Sequence, residues 1–221
     1  LSLHMTEPLN QETPSGTARP YRMARRLESV EQTRARIVAA TYELHATIGP
    51  SRTSIRAIAD RAGVQRHTVY AHFPDLDALY EACTMHGMAA TAMPHPDDWA
   101  AIGDPAQRLR HGLAAMITWY RANTTMLGNV LFDVDPAASA LTTPDPFEVR
   151  FGALLQCLAE GRVVQAERRA TFDAVLAHAL AYTTWRSLAD GGLDDRSIVD
   201  VLCGLVEAIA DGSIPAQAAP G

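Results

Sequence analysis

Three consecutive polar residues, Gln65, Arg66 and His67, stand at the start of a short segment that also carries regularly spaced apolar residues. An arginine can bridge the O6 and N7 atoms of guanine, and a glutamine can pair with the N6 and N7 atoms of adenine. Each such pair discriminates between bases by about 1–3 kcal/mol. These residue types at the start of one helix predict contacts to DNA bases, and Ala71, one turn later, could touch a thymine methyl group.

Two short helices are predicted to position these side chains. Either Thr53 or Ser54 can cap a helix that begins at Ile55, because a hydroxyl oxygen accepts a hydrogen bond from a first-turn N–H group. Gly63 supplies the left-handed residue that ends this helix. Its apolar stripe follows i, i+3, i+4, i+7 spacing: Ile55, Ile58, Ala59 and Ala62. The second helix, which Pro74 stops, is predicted to bury Val64, Val69 and Phe73.

The net charge of −6 is unevenly distributed along the chain. Residues 19–72 hold ten arginines and four acidic residues, a net charge of +6, whereas residues 73–221 hold nine arginines and nineteen acidic residues, a net charge of −10. The basic charge therefore coincides with the paired helices. As a group, five early arginines favour phosphate contacts or a minor-groove arm, although any one alone could be a solvated side chain: Arg22, Arg25, Arg26, Arg34 and Arg36.

The ordered motif between residues 31 and 80 resembles the DNA-binding domain of the tetracycline-repressor-like (TetR) family of transcriptional regulators. The resemblance is carried by Ala39-Ala40 and Leu44, then TSIRAIADRAGV (53–64), then TVYAHFPDLDALY (68–80). It implies phosphate contacts from Thr53, Ser54, Thr68, Tyr70 and His72. Thr53 could instead be only a cap, and His72 only a boundary residue.

One position departs from the family pattern. Leu76 stands where family members often have a lysine that grips a phosphate. The preceding turn is acidic, and Asp75 is predicted to cap a helix that runs from Leu76 to Met88. We therefore expect this phosphate contact to be missing or to be made elsewhere.

The chain after residue 90 is predicted to contain long helices and no sheet, because no segment sustains a two-residue apolar alternation. The fold class expected is all-α, with an N-terminal three-helix helix-turn-helix DNA-binding domain and a larger helical ligand-binding and dimerisation domain. The predicted helices of the second domain span residues 105–122, 125–132, 146–160, 167–189 and 194–210, and residues 133–145 form the longest irregular stretch.

Composition predicts the two tails of the chain, and the resemblance implies the two domains between them. These segments are a disordered lead-in at 1–20 that begins with the remnant of an expression tag, a helix-turn-helix domain at 21–75, an effector-binding and dimerisation domain at 76–212, and a disordered tail at 213–221.

The resemblance implies a ligand pocket in the second domain, and aromatic and polarisable residues there suit a small apolar or amphipathic molecule. Each of them could also be plain core, and His178 a satisfied core histidine. The candidates are Met116, Trp119, Tyr120, Asn123, Met126, Leu127, Phe132, Phe151, Leu155, His178, Tyr182 and Trp185.

The last two predicted helices have wide apolar faces. In TetR-like proteins these helices pair with their copies in a four-helix dimer interface, and the alternative is that both faces belong to the chain's own core. The candidate interface residues are Phe172, Val175, Ala179, Thr183, Ile198, Val201, Leu202, Leu205 and Ile209. A dimer would present two reading helices about 34–36 Å apart to a near-palindromic operator.

Other classes of function have little support in the sequence. It has no Gly-rich phosphate loop and no G-x-S-x-G motif, so no enzyme is expected. Three scattered cysteines, Cys83, Cys157 and Cys203, indicate buried thiols rather than a disulfide framework, and we expect no metal and no cofactor. No apolar stretch approaches the ~20 residues that a membrane span needs, so we expect a cytoplasmic protein without a membrane partner.

The resemblance implies a homodimeric, ligand-responsive regulator, with repression of an operator favoured and the helix from Leu76 to Met88 as the lever between domains. One alternative is a DNA-binding activator or an architectural protein without an effector. About 130 residues of helix beyond the DNA-binding unit argue against the architectural role. An all-helical enzyme is the least favoured alternative.

Overall fold

The computed structural model describes residues 18–133 and 145–214, with side chains from residue 21. Over these residues the fold is all-α, as predicted, with eleven α-helices and no strand. Most of the predicted lead-in, most of the predicted irregular stretch and the end of the predicted tail lie outside the described residues.

The first four helices enclose one apolar core. They are α1 (Ala18–Ile48), α2 (Ile55–Ala62), α3 (Arg66–His72) and α4 (Leu76–Ala90), with one 3₁₀ turn at Pro50–Arg52 between α1 and α2. Because α2 and α3 are too short to be stable alone, tertiary packing must hold them: α2 packs against α1, and α3 packs against α2. The buried residues of this core are Ile37, Val38, Ala40, Ile58, Ala59, Ala62, Val69, Phe73 and Leu79.

Local capping sets the ends of these helices, as predicted. The Ser54 hydroxyl accepts a hydrogen bond from the Ala57 N–H at 3.1 Å. Ser54, rather than Thr53, is therefore the cap of α2, and the Thr53 hydroxyl donates to the Gly49 carbonyl at 2.8 Å. Gly63 ends α2 with φ 65° and ψ 40°, a left-handed conformation that glycine adopts without strain.

Seven further helices form the second core. They are α5 (Asp97–Ala100), α6 (Pro105–Ala122), α7 (Thr124–Phe132), α8 (Pro146–Ala159), α9 (Ala166–Leu180), α10 (Tyr182–Asp190) and α11 (Asp195–Asp211). Helix α6 is central, since it packs against α5, α7, α8, α9, α10 and α11. Its inward residues Leu109, Leu113 and Met116 are fully buried.

Two elements differ from the sequence predictions. The single helix predicted for residues 167–189 is divided at Ala181, whose backbone is extended at φ −72° and ψ 139°. The division is stabilised because the Tyr120 hydroxyl donates a hydrogen bond to the Leu180 carbonyl at 2.5 Å. The short helix α5 was not predicted; it buries Trp99 in the second core.

The two cores meet along four helices. Helix α1 packs against α4 and also against α7, while α4 packs against α8. Helix α4 belongs to both cores, because Leu79 near its start lies in the first and Met88 near its end lies in the second. The predicted boundary at residue 76 therefore falls at the start of a helix that the two domains share. None of the described helices combines the length and apolarity needed to cross a membrane.

Candidate DNA-binding surface and domain-interface cavity

Helix α3 is held by its apolar side and presents its polar side. Val69 and Phe73 are almost fully buried, which anchors α3 in the first core. The Val64 N–H donates to the Ala59 carbonyl at 3.0 Å, so the turn at Gly63 is tight and fixes the entry of α3. The result is a rod whose orientation is set by tertiary contacts on one side only.

The four predicted base-reading residues lie together on the outer side of this rod. Gln65, Arg66 and His67 are exposed at the N-terminal end of α3, and Ala71 is exposed one turn later. Gln65 occupies the cap position but makes no side-chain capping bond. Its amide is therefore not engaged by its own helix and is available to a ligand.

The predicted phosphate-contacting residues divide into two groups. Ser54 and Tyr70 are exposed on either side of the reading residues. Thr53, Thr68 and His72 are half-buried, and the Thr53 hydroxyl is already bonded to Gly49. Exposed Arg52, directly before this group, was not singled out from the sequence because it lies in no helix pattern.

The early arginines lie on helix α1. Arg22, Arg25 and Arg26 lie in the first turns of α1, where residues 21–32 are all exposed. These arginines therefore lie on the first part of α1, which begins at Ala18, and their contacts with DNA stay a prediction. Arg34 is half-buried, and its guanidinium lies 4.2 Å from the centre of the Phe73 ring. This cation–π contact fixes the end of α3 against α1.

Helix α4 begins as predicted, without a cation at its start. The Asp75 carboxylate accepts a hydrogen bond from the Ala78 N–H at 2.8 Å. Leu76, the first residue of α4, is exposed. The Asp75 carboxylate and the apolar Leu76 side chain supply no positive charge to attract a phosphate.

A cavity of about 110 Å³ lies where the two domains meet. Helices α1, α4, α6, α7 and α8 contribute to its wall. Three of the predicted pocket residues line it, Trp119, Met126 and Leu127. The part of the wall that α1 and α4 contribute was not predicted, because the sequence analysis assigned α1 to the DNA-binding domain and α4 to the connection between the domains. The residues of this part are Tyr42, His45, Cys83, Thr84, Gly87, Met88 and Thr91.

A second cavity, of about 460 Å³, contains three more of the predicted pocket residues, Tyr120, Phe151 and Tyr182. It shares Leu131, Asp145 and Phe147 with the first cavity. The two cavities therefore adjoin near the end of α7 and the start of α8.

The remaining six predicted pocket residues line neither cavity. Met116 and Trp185 are buried in the second core, while Phe132 is 66% exposed and Leu155 lies at a separate depression between α8 and α9. The Asn123 amide donates to the Trp119 carbonyl at 2.8 Å and so closes the end of α6. His178 is exposed beside the Thr184 hydroxyl, so its interpretation as a core histidine was wrong.

His45 is a buried polar group in the lining of the domain-interface cavity. Its Nδ1 lies 3.7 Å from the Cys83 sulfur, and its Nε2 has no hydrogen-bond partner among the described residues. Burial lowers the pKa of His45 to about 4, so the ring is neutral at physiological pH. Burial likewise raises the pKa of the Cys83 thiol to about 12. His45 and Cys83 are thus both uncharged at physiological pH.

Most of the residues predicted to form the dimer interface are buried in the core of the single chain. Five of them are buried in the second core, so their assignment to an intermolecular interface was wrong: Phe172, Ala179, Ile198, Leu202 and Ile209. The cause is that α9 and α11 pack against each other and against α6 with their widest apolar faces. Val201 and Thr183 are exposed, and Val175 and Leu205 are half-buried. The outer sides of α9 and α11 also carry small residues: Ala170, Ala174, Gly204 and Ala208.

Within the described ranges, no group of three His, Cys, Asp or Glu side chains could hold a metal ion. Cys83, Cys157 and Cys203 are buried free thiols, as predicted.

Residues 37–83 match the family model of bacterial regulatory proteins, tetR family. Two similar solved structures have low sequence identity. NalD, the secondary repressor of the MexAB-OprM multidrug efflux pump in Pseudomonas aeruginosa, is 20% identical with a TM-score of 0.53 over 81% of this chain and 96% of that one. A proposed fatty acid metabolism regulator of Clostridium perfringens is 16% identical with a TM-score of 0.54 over 82% and 100%. These two likenesses establish the fold alone. A comparison with curated proteins finds no match.

Proposed function

We propose that this chain, a member of the tetR family of bacterial regulatory proteins by its DNA-binding domain, is a homodimeric repressor that a small molecule releases from its operator. The observation that carries the proposal is the outer side of α3. There Gln65, Arg66 and His67 are exposed together while Val69 and Phe73 anchor the helix from behind. A short rigid helix with such an end fits the major groove.

The proposed roles on DNA follow from position. Arg66 reads guanine and Gln65 reads adenine through paired hydrogen bonds, with His67 and Ala71 contacting neighbouring bases. Residues on the flanks bind phosphates and set the register of the helix in the groove. The flanking set comprises Thr53, Ser54, Thr68, Tyr70 and His72, with Arg22, Arg25 and Arg26 on the α1 extension. Arg34 is better placed to support α3 through Phe73.

The proposed dimer uses the outer side of α9 and α11. Val201, Gly204 and Ala208 recur at i, i+3 and i+7 on α11, and small residues let a second helix approach closely. Pairing with a second copy would cover the exposed Val201 side chain. A twofold axis would then repeat α3 at the spacing of one DNA turn.

The proposed response to a ligand depends on where the cavity lies. Because its wall includes α1 of the DNA-binding domain as well as α6, α7 and α8, a molecule inside it touches both domains. A ligand shifts the population only if it binds one arrangement of the domains better than the other. The proposed partner is genomic DNA of a bacterium, so we place the protein in the cytoplasm.

Selection of DNA from a random pool by the purified full chain tests this function. The expected result is enrichment of a near-palindromic sequence, which binds more tightly than unrelated DNA across a salt titration. Recovery of sequences without a shared motif would contradict a sequence-reading repressor. An architectural protein would bind the pool without preference, and an activator would raise rather than lower transcription from a reporter that carries the selected site.

A further inference from the structure

The cavity between the domains contains a hydrogen-bonding atom that the protein itself does not satisfy. His45 is only 7% exposed, and its Nε2 is buried without a partner among the described residues. Leaving a buried polar atom unpaired is costly, so such atoms are rare and demand an explanation. His45 lines the cavity, so a small turn of its ring would bring the buried Nε2 to an occupant that can supply the missing bond.

Two of the other polar groups of this wall are already engaged, and the Tyr42 and Thr84 hydroxyls also line it. The Thr91 hydroxyl donates to the Gly87 carbonyl at 2.7 Å and accepts from the Trp119 ring N–H at 3.1 Å. Asp145 caps α8 by accepting from the Phe147 N–H at 2.9 Å. Apolar and aromatic residues make up most of the remaining wall: Met88, Trp119, Met126, Leu127, Val130, Leu131 and Phe147.

The size and charge of the cavity restrict its ligand. A volume of about 110 Å³ is of the same order as the ~150 Å³ apolar cavity that holds benzene, so the cavity suits a single aromatic ring. The described lining contains no lysine or arginine and does contain the Asp145 carboxylate. An anionic ligand would therefore be desolvated without a counter-charge.

We infer that this cavity binds an uncharged, single-ring aromatic molecule that carries one hydroxyl group, which His45 Nε2 anchors through a hydrogen bond. A hydroxyl group suits either tautomer of the neutral imidazole, because it both donates and accepts. The aromatic ring lies among Trp119, Phe147 and Leu127. The identity of this ligand as the effector rests on the proposed function, whereas its binding does not.

Calorimetric titration of the full chain with phenol, benzene and benzoate tests this inference. Phenol is expected to bind about three- to tenfold more tightly than benzene, the gain of one neutral hydrogen bond. Benzoate, of the same ring size but anionic, is expected to show no binding. Equal affinities for phenol and benzene, or tighter binding of benzoate, would overturn the assignment.

Two variants locate the site. His45→Phe keeps a planar ring but removes Nε2, so the preference for phenol over benzene should disappear, whereas His111→Phe, which removes an exposed histidine of α6, should keep it. Val130→Phe should fill the cavity and lower the affinity for phenol at least about tenfold. Should His45→Phe fail to fold, the Val130 variant and the ligand series still decide the question: phenol binding unchanged in Val130→Phe would place the ligand elsewhere.

Operator binding measured with and without phenol separates this inference from the proposed function. If phenol binds with the stated preference but leaves DNA affinity unchanged, the ligand site stands and ligand-released repression by this site fails. If another molecule releases the operator while phenol does not bind, the ligand assignment fails and the proposed function stands.

Discussion

The side-chain amide of Asn129 donates a hydrogen bond to the main-chain carbonyl of Ala46 at 2.8 Å. Ala46 lies in the last turn of α1, where carbonyl groups lack intrahelical partners, and Asn129 lies on α7 of the second domain. Next to this bond the Ser51 hydroxyl donates to the Asp133 carboxylate at 2.8 Å. Helix α7 is thus tied to the segment that leads into α2, so α4 is not the sole connection between the domains.

Replacing Asn129 by alanine should weaken this tie. The variant loses one hydrogen bond and leaves the Ala46 carbonyl without it, so the free energy of unfolding should fall by about 1 kcal/mol. Urea denaturation measures the change, with Thr125→Ala, at an exposed position of the same helix, as the control. A loss no larger than that of the control would mean that water replaces the amide without cost.

Gly49→Ala should be more destabilising. Gly49 has φ +88°, which is strained for any residue with a Cβ atom, and its added Cβ would overlap the Asp133 carboxylate. We expect a loss of about 2–3 kcal/mol in thermal or urea unfolding. The control is Gly128→Ala on α7, where the added Cβ meets no atom within 4 Å; helix propensity should make that change neutral or stabilising by up to about 1 kcal/mol. Similar effects of the two substitutions would refute the described contact.

The stability of the protein should depend on pH through His45. Burial lowers the pKa of His45 in the folded state to about 4, against about 6.5 in the unfolded chain, so the unfolded state binds the proton more tightly. The stability due to the neutral ring is fully present above about pH 6.5 and is lost as the pH falls towards 4. The groups that face the ring, Cys83 and Tyr80, have raised pKa values and do not titrate in this range.

Unfolding free energies at pH 7.5 and pH 5 measure this dependence. Wild type should lose about 2 kcal/mol more than His45→Phe over this interval, since the variant has no proton to bind at this position. His111→Phe should behave as wild type. Parallel losses in wild type and His45→Phe would show that other groups account for the pH dependence.

Arg66→Ala should change sequence preference more than general affinity. If Arg66 reads a guanine, the variant should lose about 1–3 kcal/mol for the preferred site and discriminate less at one base pair. Arg26→Ala, which removes a proposed phosphate contact, should weaken binding to all sequences and reduce the salt slope by about 1. Fluorescence anisotropy with single-base variants of the selected site separates these patterns. Unchanged discrimination in Arg66→Ala would assign base reading to other residues.

Val201→Glu should disrupt the proposed dimer. Val201 is 51% exposed on α11 in the single chain, and pairing would bury the introduced carboxylate without a partner. The dimer dissociation constant should rise at least about a hundredfold, because an unpaired buried charge costs several kcal/mol. Val163→Glu, at a loop residue that is 96% exposed, is the control. Sedimentation equilibrium would contradict the interface if both variants remained dimers.

The starts of α2 and α4 could be predicted from sequence because capping acts over only a few residues. The Ser54 hydroxyl reaches Ala57, and the Asp75 carboxylate reaches Ala78, each three residues on. The apolar spacing of α3 likewise sufficed to predict which side would be buried. The predicted base-reading group is therefore exposed as a set, although its contacts with DNA stay a prediction.

The broken helix at Ala181 could not be predicted, because its cause lies in another helix. The Tyr120 hydroxyl that bonds the Leu180 carbonyl is 60 residues away in sequence. Periodicity likewise identified the apolar faces of α9 and α11 but not the surface that covers them. Phe172 and Ile198 were therefore assigned to a partner chain, whereas they lie in the protein's own core.

The amino-acid sequence by itself determined the all-helical class, the helix-turn-helix and its exposed polar end, because these depend on spacing and capping within a few residues. Tertiary structure alone decided what lies between the domains. His45 and Cys83 are 38 residues apart, and Asn129 and Ala46 are 83 apart, so no local pattern brings them together. Their meeting depends on how α1 packs against α4 and α7, which creates both the buried imidazole and the cavity beside it.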